Sequence, residues 1–142
     1  MCLLPSAPST GGGTKSLLLV LSVLFAACGG DEGPTPQWSV LQAEVFKPSC
    51  AFASCHGGDA PEQGLHLGNI TRAMLVERPS QQAQGRMLVV PGDPAASYLL
   101  EKLAKPQPQV GNQMPPRGAG GALPSKQVDA VRQWIANGAP GD

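Results

Sequence analysis

Residues 50–56 read C-A-F-A-S-C-H, two thiols five positions apart with a histidine directly after the second, and Gly57 and Gly58 follow at once. The rest of the chain is organised around this stretch. On its N-terminal side Trp38, Leu41 and Val45 fall three and four apart, which puts them on one face of a helix over 38–47 with Phe46 beside them. Pro48 is expected to stop that helix, since it lacks the amide donor and crowds the preceding turn. Residues 49–68 carry Cys, His, Gly and Pro without a sustained period and read as a loop with a short turn. Beyond them a weaker helix is predicted over 71–77, ended by Arg78 and Pro79. The run at 85–91 (G-R-M-L-V-V-P) is too short and too isolated to build a sheet, and is expected to cross the core. Asp93 followed by Pro94 reads as an N-cap and first-turn proline, with Tyr98, Leu99 and Leu103 on a helix that ends near Lys105. Residues 110–123 hold six Gly or Pro and one Met114, a long irregular loop of the kind that is usually functional. Ser125 is expected to cap a last helix with Val128, Val131, Trp134 and Ile135 on one side, closed by Asn137, Gly138 and Pro140. Helices at both ends with no credible strand pair make the predicted class all-α.

Composition narrows the function. The chain has 142 residues with 18 Gly and 15 Pro, about twice the usual share, and 10 basic against 10 acidic residues. With no net charge there is no electrostatic case for nucleic acid or for an anionic membrane surface. Residues 28–142 contain only 21 Leu, Ile, Val and Phe, about 18% of that stretch. Values under about 20% accompany disorder when net charge is high, and here it is not. The domain therefore reads as short of core material, with something other than side chains filling its middle, and without that group it is expected to be largely disordered.

The N-terminus carries an address. Lys15 precedes an apolar run at 17–27 (L-L-L-V-L-S-V-L-F-A-A), too short to span a bilayer but of signal-peptide length, and Cys28 closes it. Ala26, Ala27, Cys28, Gly29 resemble a bacterial lipobox, in which Cys28 would be lipidated. The expected division is a signal peptide over 1–27, a Gly- and Pro-rich tether over 28–37, a folded domain over 38–139 and a tail over 140–142. An ordinary secretory signal that happens to contain a cysteine is the other reading; both export the domain, and the lipobox adds a lipid anchor in a membrane on the periplasmic side of the envelope. Gly29, where an aspartate is absent, resembles lipoproteins sorted to the outer membrane.

Cys2 and Cys28 lie in or at the edge of the leader, so Cys50 and Cys55 are the pair left to the folded domain. A disulfide in an exported module that binds or scaffolds is one reading. A structural zinc site lacks a fourth ligand at finger-like spacing, and a thiol oxidoreductase would want two residues between the cysteines in a βαβ unit. Copper held by Cys, His and Met is a further option. His56 supplies the other main reading, because a histidine beside the second cysteine is what c-type haem attachment requires: two thiols for two vinyl groups, and an imidazole for the iron. The usual form has two residues between the cysteines and this one has four, so the motif alone leaves disulfide and haem both open.

Met114 weighs on the second side. It is followed by Pro115 and Pro116 and stands 58 residues after His56, in a loop whose prolines favour extended backbone. With F-K-P-S-C, S-C-H-G-G, G-L-H-L, V-P-G-D-P-A-A-S-Y-L, M-P-P and W-I-A-N-G-A in this order, residues 45–139 resemble the small cytochrome c superfamily, and within it the single-domain cytochrome c-like lipoproteins of bacteria such as myxobacteria and planctomycetes. The resemblance implies a cytochrome c-like all-α fold whose first and last helices cross near a haem edge, with Phe46 and Trp134 at that contact. It implies one covalent haem c, Cys50 and Cys55 as thioether attachments, His56 as proximal iron ligand and Met114 as distal ligand. It also implies an electron carrier, or the electron-transfer subunit of a dehydrogenase or oxidase complex, in place of an enzyme in its own right. Its partners would be a redox donor and acceptor. His66 is expected at the surface, Met74 and Met87 as core filler, and Tyr98 and Trp134 as packing residues.

Overall fold

The structure, a computed structural model, describes residues 32–142. The expected signal segment and Cys28 lie outside the described residues. Helix α1 (Trp38–Leu41) runs without a break in helical backbone through a π-turn segment (Gln42–Phe46) into α2 (Lys47–Cys50). Pro48 therefore does not end the helix, contrary to the sequence expectation. The chain accommodates it by widening the preceding turn: the Lys47 amide donates five residues back to the Gln42 carbonyl, one position further than an α-turn. A proline that follows cannot donate at all, and the Glu44 carbonyl four residues before it receives a long contact, 3.5 Å, from the Gln127 side-chain amide.

Of the predicted helix over 71–77 only a single 3₁₀ turn, Arg72–Met74, forms. Leu75 and Val76 turn inward, Val76 bridges to Val89, and Glu77 adopts a positive φ of 55° that no helix continues through. This shortening also corrects Met74 and Met87, which are not core filler: each is 41% exposed, and Leu75 and Val89 occupy the interior in their place.

The run at 85–91 crosses the core as expected, with Val89 fully buried. Its carbonyls have a definite use. The amides of Tyr98 and Leu99 donate to Met87 and Leu88 at 3.0 and 2.9 Å, so this segment satisfies two of the open donors at the N-terminus of α3 (Tyr98–Ala104). The helix starts later than Asp93–Pro94 suggested. Asp93 Oδ1 does accept from Ala96 at 3.0 Å, but it caps only a turn. Buried Ser97 then takes over: its hydroxyl donates to the Asp93 carbonyl at 2.8 Å and accepts from Val90 at 2.9 Å, redirecting the chain.

Helix α4 (Ser125–Ala136) is the longest, and Val128, Val131, Trp134 and Ile135 are buried along it as the periodicity predicts. Ser125 is its first residue and makes no side-chain cap. α4 packs on α1 and on α3. Trp38 meets Trp134 with ring centroids 5.3 Å apart and Phe46 at 6.0 Å, and Leu41, Val45, Phe46, Val131, Trp134 and Ile135 are all fully buried. Each such side chain contributes about 1.5–3 kcal/mol relative to exposure. Among the described residues there is no strand, only the isolated bridges Val76–Val89, Pro79–Met87 and Val90–Asp93, so the fold is all-α. No helix among them is long and apolar enough to cross a membrane.

The low apolar content is used almost completely: of the Leu, Ile, Val and Phe in the described residues, only Phe52 and Val110 are exposed. At the ends of this unit, a Cβ on Gly33 would stand 2.6 Å from the Lys126 Cβ, so the segment read as tether lies against the start of α4. Residues of the expected tail are also engaged, with Pro140 accepting from the Trp134 indole at 2.8 Å and the Asp142 carboxylate from the Ser39 amide at 2.7 Å.

Candidate functional site

The last residue of α2 is Cys50, and the chain leaves it through Ala51 and Phe52 into a five-residue π-turn, Ala53–Gly57, that carries Cys55 and His56. The amides of Cys55 and Gly57 both reach the Phe52 carbonyl at 2.9 Å, which folds the four intervening residues into one tight bulge. The two glycines after His56 are required by space. A Cβ on Gly57 would lie 2.1 Å from the Ala51 carbonyl oxygen, and one on Gly58 would lie 2.4 Å from that of Ala53.

His56 is half-buried and held at two points. Its ring Nδ1 is 2.9 Å from the Leu65 carbonyl, and its own carbonyl accepts from the Leu67 amide at 2.6 Å. A carbonyl can only accept, so Nδ1 carries the proton and the neutral ring keeps its lone pair on Nε2. This is the arrangement that fixes the tautomer and orientation of a metal-ligating histidine. Sequence reading passed over the Leu65 carbonyl, because a backbone acceptor leaves no mark in residue identity. The motif G-L-H-L marked the segment through its side chains, of which Leu67 is buried.

Met114 sits in the loop over 110–123, which α3 holds at several points. The Met114 amide donates to the Lys102 carbonyl at 2.8 Å and the Gln113 side chain to the Leu103 carbonyl at 3.1 Å. The Tyr98 hydroxyl reaches the Val110 carbonyl at 2.8 Å, and Lys102 Nζ the same oxygen at 3.2 Å. Met114 itself is half-buried against the core.

Cys50, Cys55, His56 and Met114 all line one cavity of about 390 Å³, within the usual range for a small-molecule or cofactor site. Phe46, Leu65, Leu67, Leu99 and Leu103 form much of its apolar wall; Arg78, Gln82 and Lys102 add polar groups. His66 is half-exposed and does not line the cavity, while Met74 does, at its exposed side. Both cysteines are free thiols. Burial, and secondarily the neighbouring Cys55, push the Cys50 thiol up to about 11, so it keeps its S–H at neutral pH. Burial likewise lowers the pKa of the Lys102 ammonium, partly countered by Glu101.

The donor set fits a c-type haem. Two free thiols, an imidazole with Nε2 available and a thioether share one largely apolar cavity, and these are the groups that covalent attachment and axial ligation call for. Among the described residues no three His, Cys, Asp or Glu side chains form a cluster that could hold a metal ion by themselves.

Comparison with known proteins adds one match. Residues 53–118, which are 66 of the 142, match the family model described as planctomycete cytochrome C. The matched span includes Cys55, His56 and Met114 and leaves Cys50 and α4 outside. It supports a cytochrome c-like family, and with it haem binding and electron transfer. No curated protein and no solved structure matches the chain.

Proposed function

We propose that this chain is an exported, lipid-anchored carrier of single electrons that holds one haem c covalently through Cys50 and Cys55, with His56 and Met114 as axial ligands. The observation that carries the reading is the His56 ring: its Nδ1–H is committed to the Leu65 carbonyl at 2.9 Å, leaving Nε2 free in a cavity that two thiols and a thioether also line. Bound haem would supply reversible one-electron chemistry at its iron, and the protein's part is binding, orientation and exclusion of water.

Cys50 and Cys55 are suited to attachment as thiols. Each S–H adds across a vinyl C=C, forming one C–S and one C–H bond, so no oxidant or reductant enters the balance. Leu65 and Leu67 hold His56 from both sides of its residue, and α3 fixes the Met114 loop, so the axial donors come from two separately anchored segments. His and Met ligation together raise the potential relative to two histidines. Cys28 would carry the lipid, with 28–37 leading to the folded domain over 38–139 and a short tail over 140–142. Confinement to one membrane, here the outer membrane, would raise the encounter rate with a donor and an acceptor without a charged docking patch.

The test is expression with its leader beside a cytochrome c maturation system. A Soret band, and haem that stays with the polypeptide on a denaturing gel but is lost in the Cys50→Ser, Cys55→Ser variant, is expected. A colourless product with a Cys50–Cys55 disulfide would overturn the reading. Met114→Ala should keep covalent haem, lose the long-wavelength absorption of sulfur-ligated oxidised iron and lower the reduction potential.

A further inference from the structure

Among the described residues, Lys102 is the basic side chain buried in the wall of the cavity. It is 7% exposed. An ammonium has three donors, and among the described residues a single acceptor meets them, the Val110 carbonyl at 3.2 Å, with the face of Tyr98 at 5.9 Å. Glu101, next in sequence, faces elsewhere: its carboxylate pairs with Arg86 at 3.3 Å and Lys105 at 3.6 Å and accepts from the Gln109 amide. Among the described residues no carboxylate lies within ion-pair distance of Lys102. Buried charges are ordinarily paired, because removing an ion from water without a partner is costly.

The surroundings keep room for that charge. Gly111, at φ +69°, runs past it so closely that a Cβ would stand 3.1 Å from Lys102 Nζ and 2.7 Å from Gln82 Nε2. The positive φ is what calls for glycine here, and it brings the loop backbone close over an ammonium and an amide together. Tyr98 and Gln82, hydroxyl to amide oxygen at 3.1 Å, continue the same wall, and Arg78 stands at its outer part. The remainder of the lining is apolar over most of its area, with Glu62, Gln63, Ser80 and Gln81 among its other polar residues.

From this geometry we infer that Lys102, supported by Gln82 and Tyr98, is a carboxylate receptor that orients the cavity's ligand. The inference rests on the haem reading above and deepens it: the carboxylate is a propionate of the haem, and the attachment edge lies at Cys50 and Cys55. Lys102 is then a positioning residue with two functions in one side chain, since its carbonyl holds the Met114 amide while its ammonium neutralises the ligand's acidic edge.

The experiment uses holoprotein enriched in ¹⁵N-lysine. In the reduced wild type, a slowly exchanging Lys102 Nζ–H signal with nuclear Overhauser contacts to the propionate methylene protons is expected. Lys102→Met should shift the reduction potential downward, Lys102→Arg should restore most of it, and Tyr98→Phe, which removes a Val110 bond and keeps the charge, should shift it less than Lys102→Met. Absence of the propionate contacts in coloured wild-type protein overturns the inference while leaving the haem reading intact. Equal shifts for Tyr98→Phe and Lys102→Met also overturn it, because Lys102 would then act only through the Val110 loop. A wild-type product without a Soret band overturns the haem reading and the receptor together. Should Lys102→Met fail to mature, the wild-type contacts decide.

Discussion

Between α1 and α4, Trp38, Phe46 and Trp134 meet ring to ring, and Leu41, Val45, Val131 and Ile135 leave none of their surface exposed. Across the molecule, the segment over 50–70 is held by its own hydrogen bonds and the loop over 110–119 by α3, through backbone groups and single side chains, around a cavity of about 390 Å³. Phe46 belongs to both regions, one side in the aromatic cluster and the other in the cavity wall. The contrast localises the apolar shortage seen in the composition. The helical region is closed by its own side chains, whereas the loop region is closed by tethers that fix where donors stand without filling the space between them.

The contrast can be broken most strongly at Trp134. Trp134→Ala removes a fully buried indole, its ring contact and its bond to Pro140, and should cost about 3–5 kcal/mol, read as a lower urea midpoint. A domain of this size has about 5–15 kcal/mol in all, so both regions should melt at a lower temperature. Gly57→Ala should separate them instead. The added methyl meets the Ala51 carbonyl, so covalent haem yield on a denaturing gel should fall several-fold while the far-ultraviolet circular dichroism of α4 persists.

A smaller effect is expected from acid. The Gln109 amide, with Lys105 and Arg86, holds the Glu101 carboxyl below its ordinary range despite burial. A carboxylate with a depressed folded pKa adds stability that is complete above the unfolded value of about 4.3 and is lost as pH falls through the folded value. Wild type should therefore exceed Glu101→Gln by about 1–2 kcal/mol in melts at pH 7, and the gap should close toward pH 3. Phe52→Ala should do least. Phe52 is 49% exposed at the mouth of the cavity, and the melting free energy should change by under about 0.5 kcal/mol.

Where residue type and spacing fix the outcome, the sequence is a good guide. Val128, Val131, Trp134 and Ile135 repeat with the helical period and are buried together, and Met114 was marked by two prolines that no helix would tolerate. The gathering of Cys50, Cys55, His56 and Met114 on one cavity was legible for the same reason: a dense local motif and one conspicuous thioether. What escaped reading depends on backbone groups. The Leu65 carbonyl that orients His56, the Met87 and Leu88 carbonyls that cap α3, and the widened turn before Pro48 are properties every residue carries alike. Met74 was misjudged because its neighbours suggested a helix that the inward turn of Leu75 and Val76 ends after one 3₁₀ turn. Lys102 escaped because a lysine near a helix end ordinarily reads as solvated.

The widened turn over Gln42–Phe46 has a genetic corollary. A π-turn holds one residue more than the α-turn it replaces, so it behaves as an insertion that the helix has absorbed. Deleting a single codon there would restore the ordinary ladder, leave the flanking turns roughly in phase, and remove the widening that precedes Pro48. The aromatic contacts made by Trp38, upstream of the deletion, would keep their registration. Cys50, downstream of it, would stay near its present phase, so the extra residue serves the turn that admits Pro48 more than the aim of the cysteine.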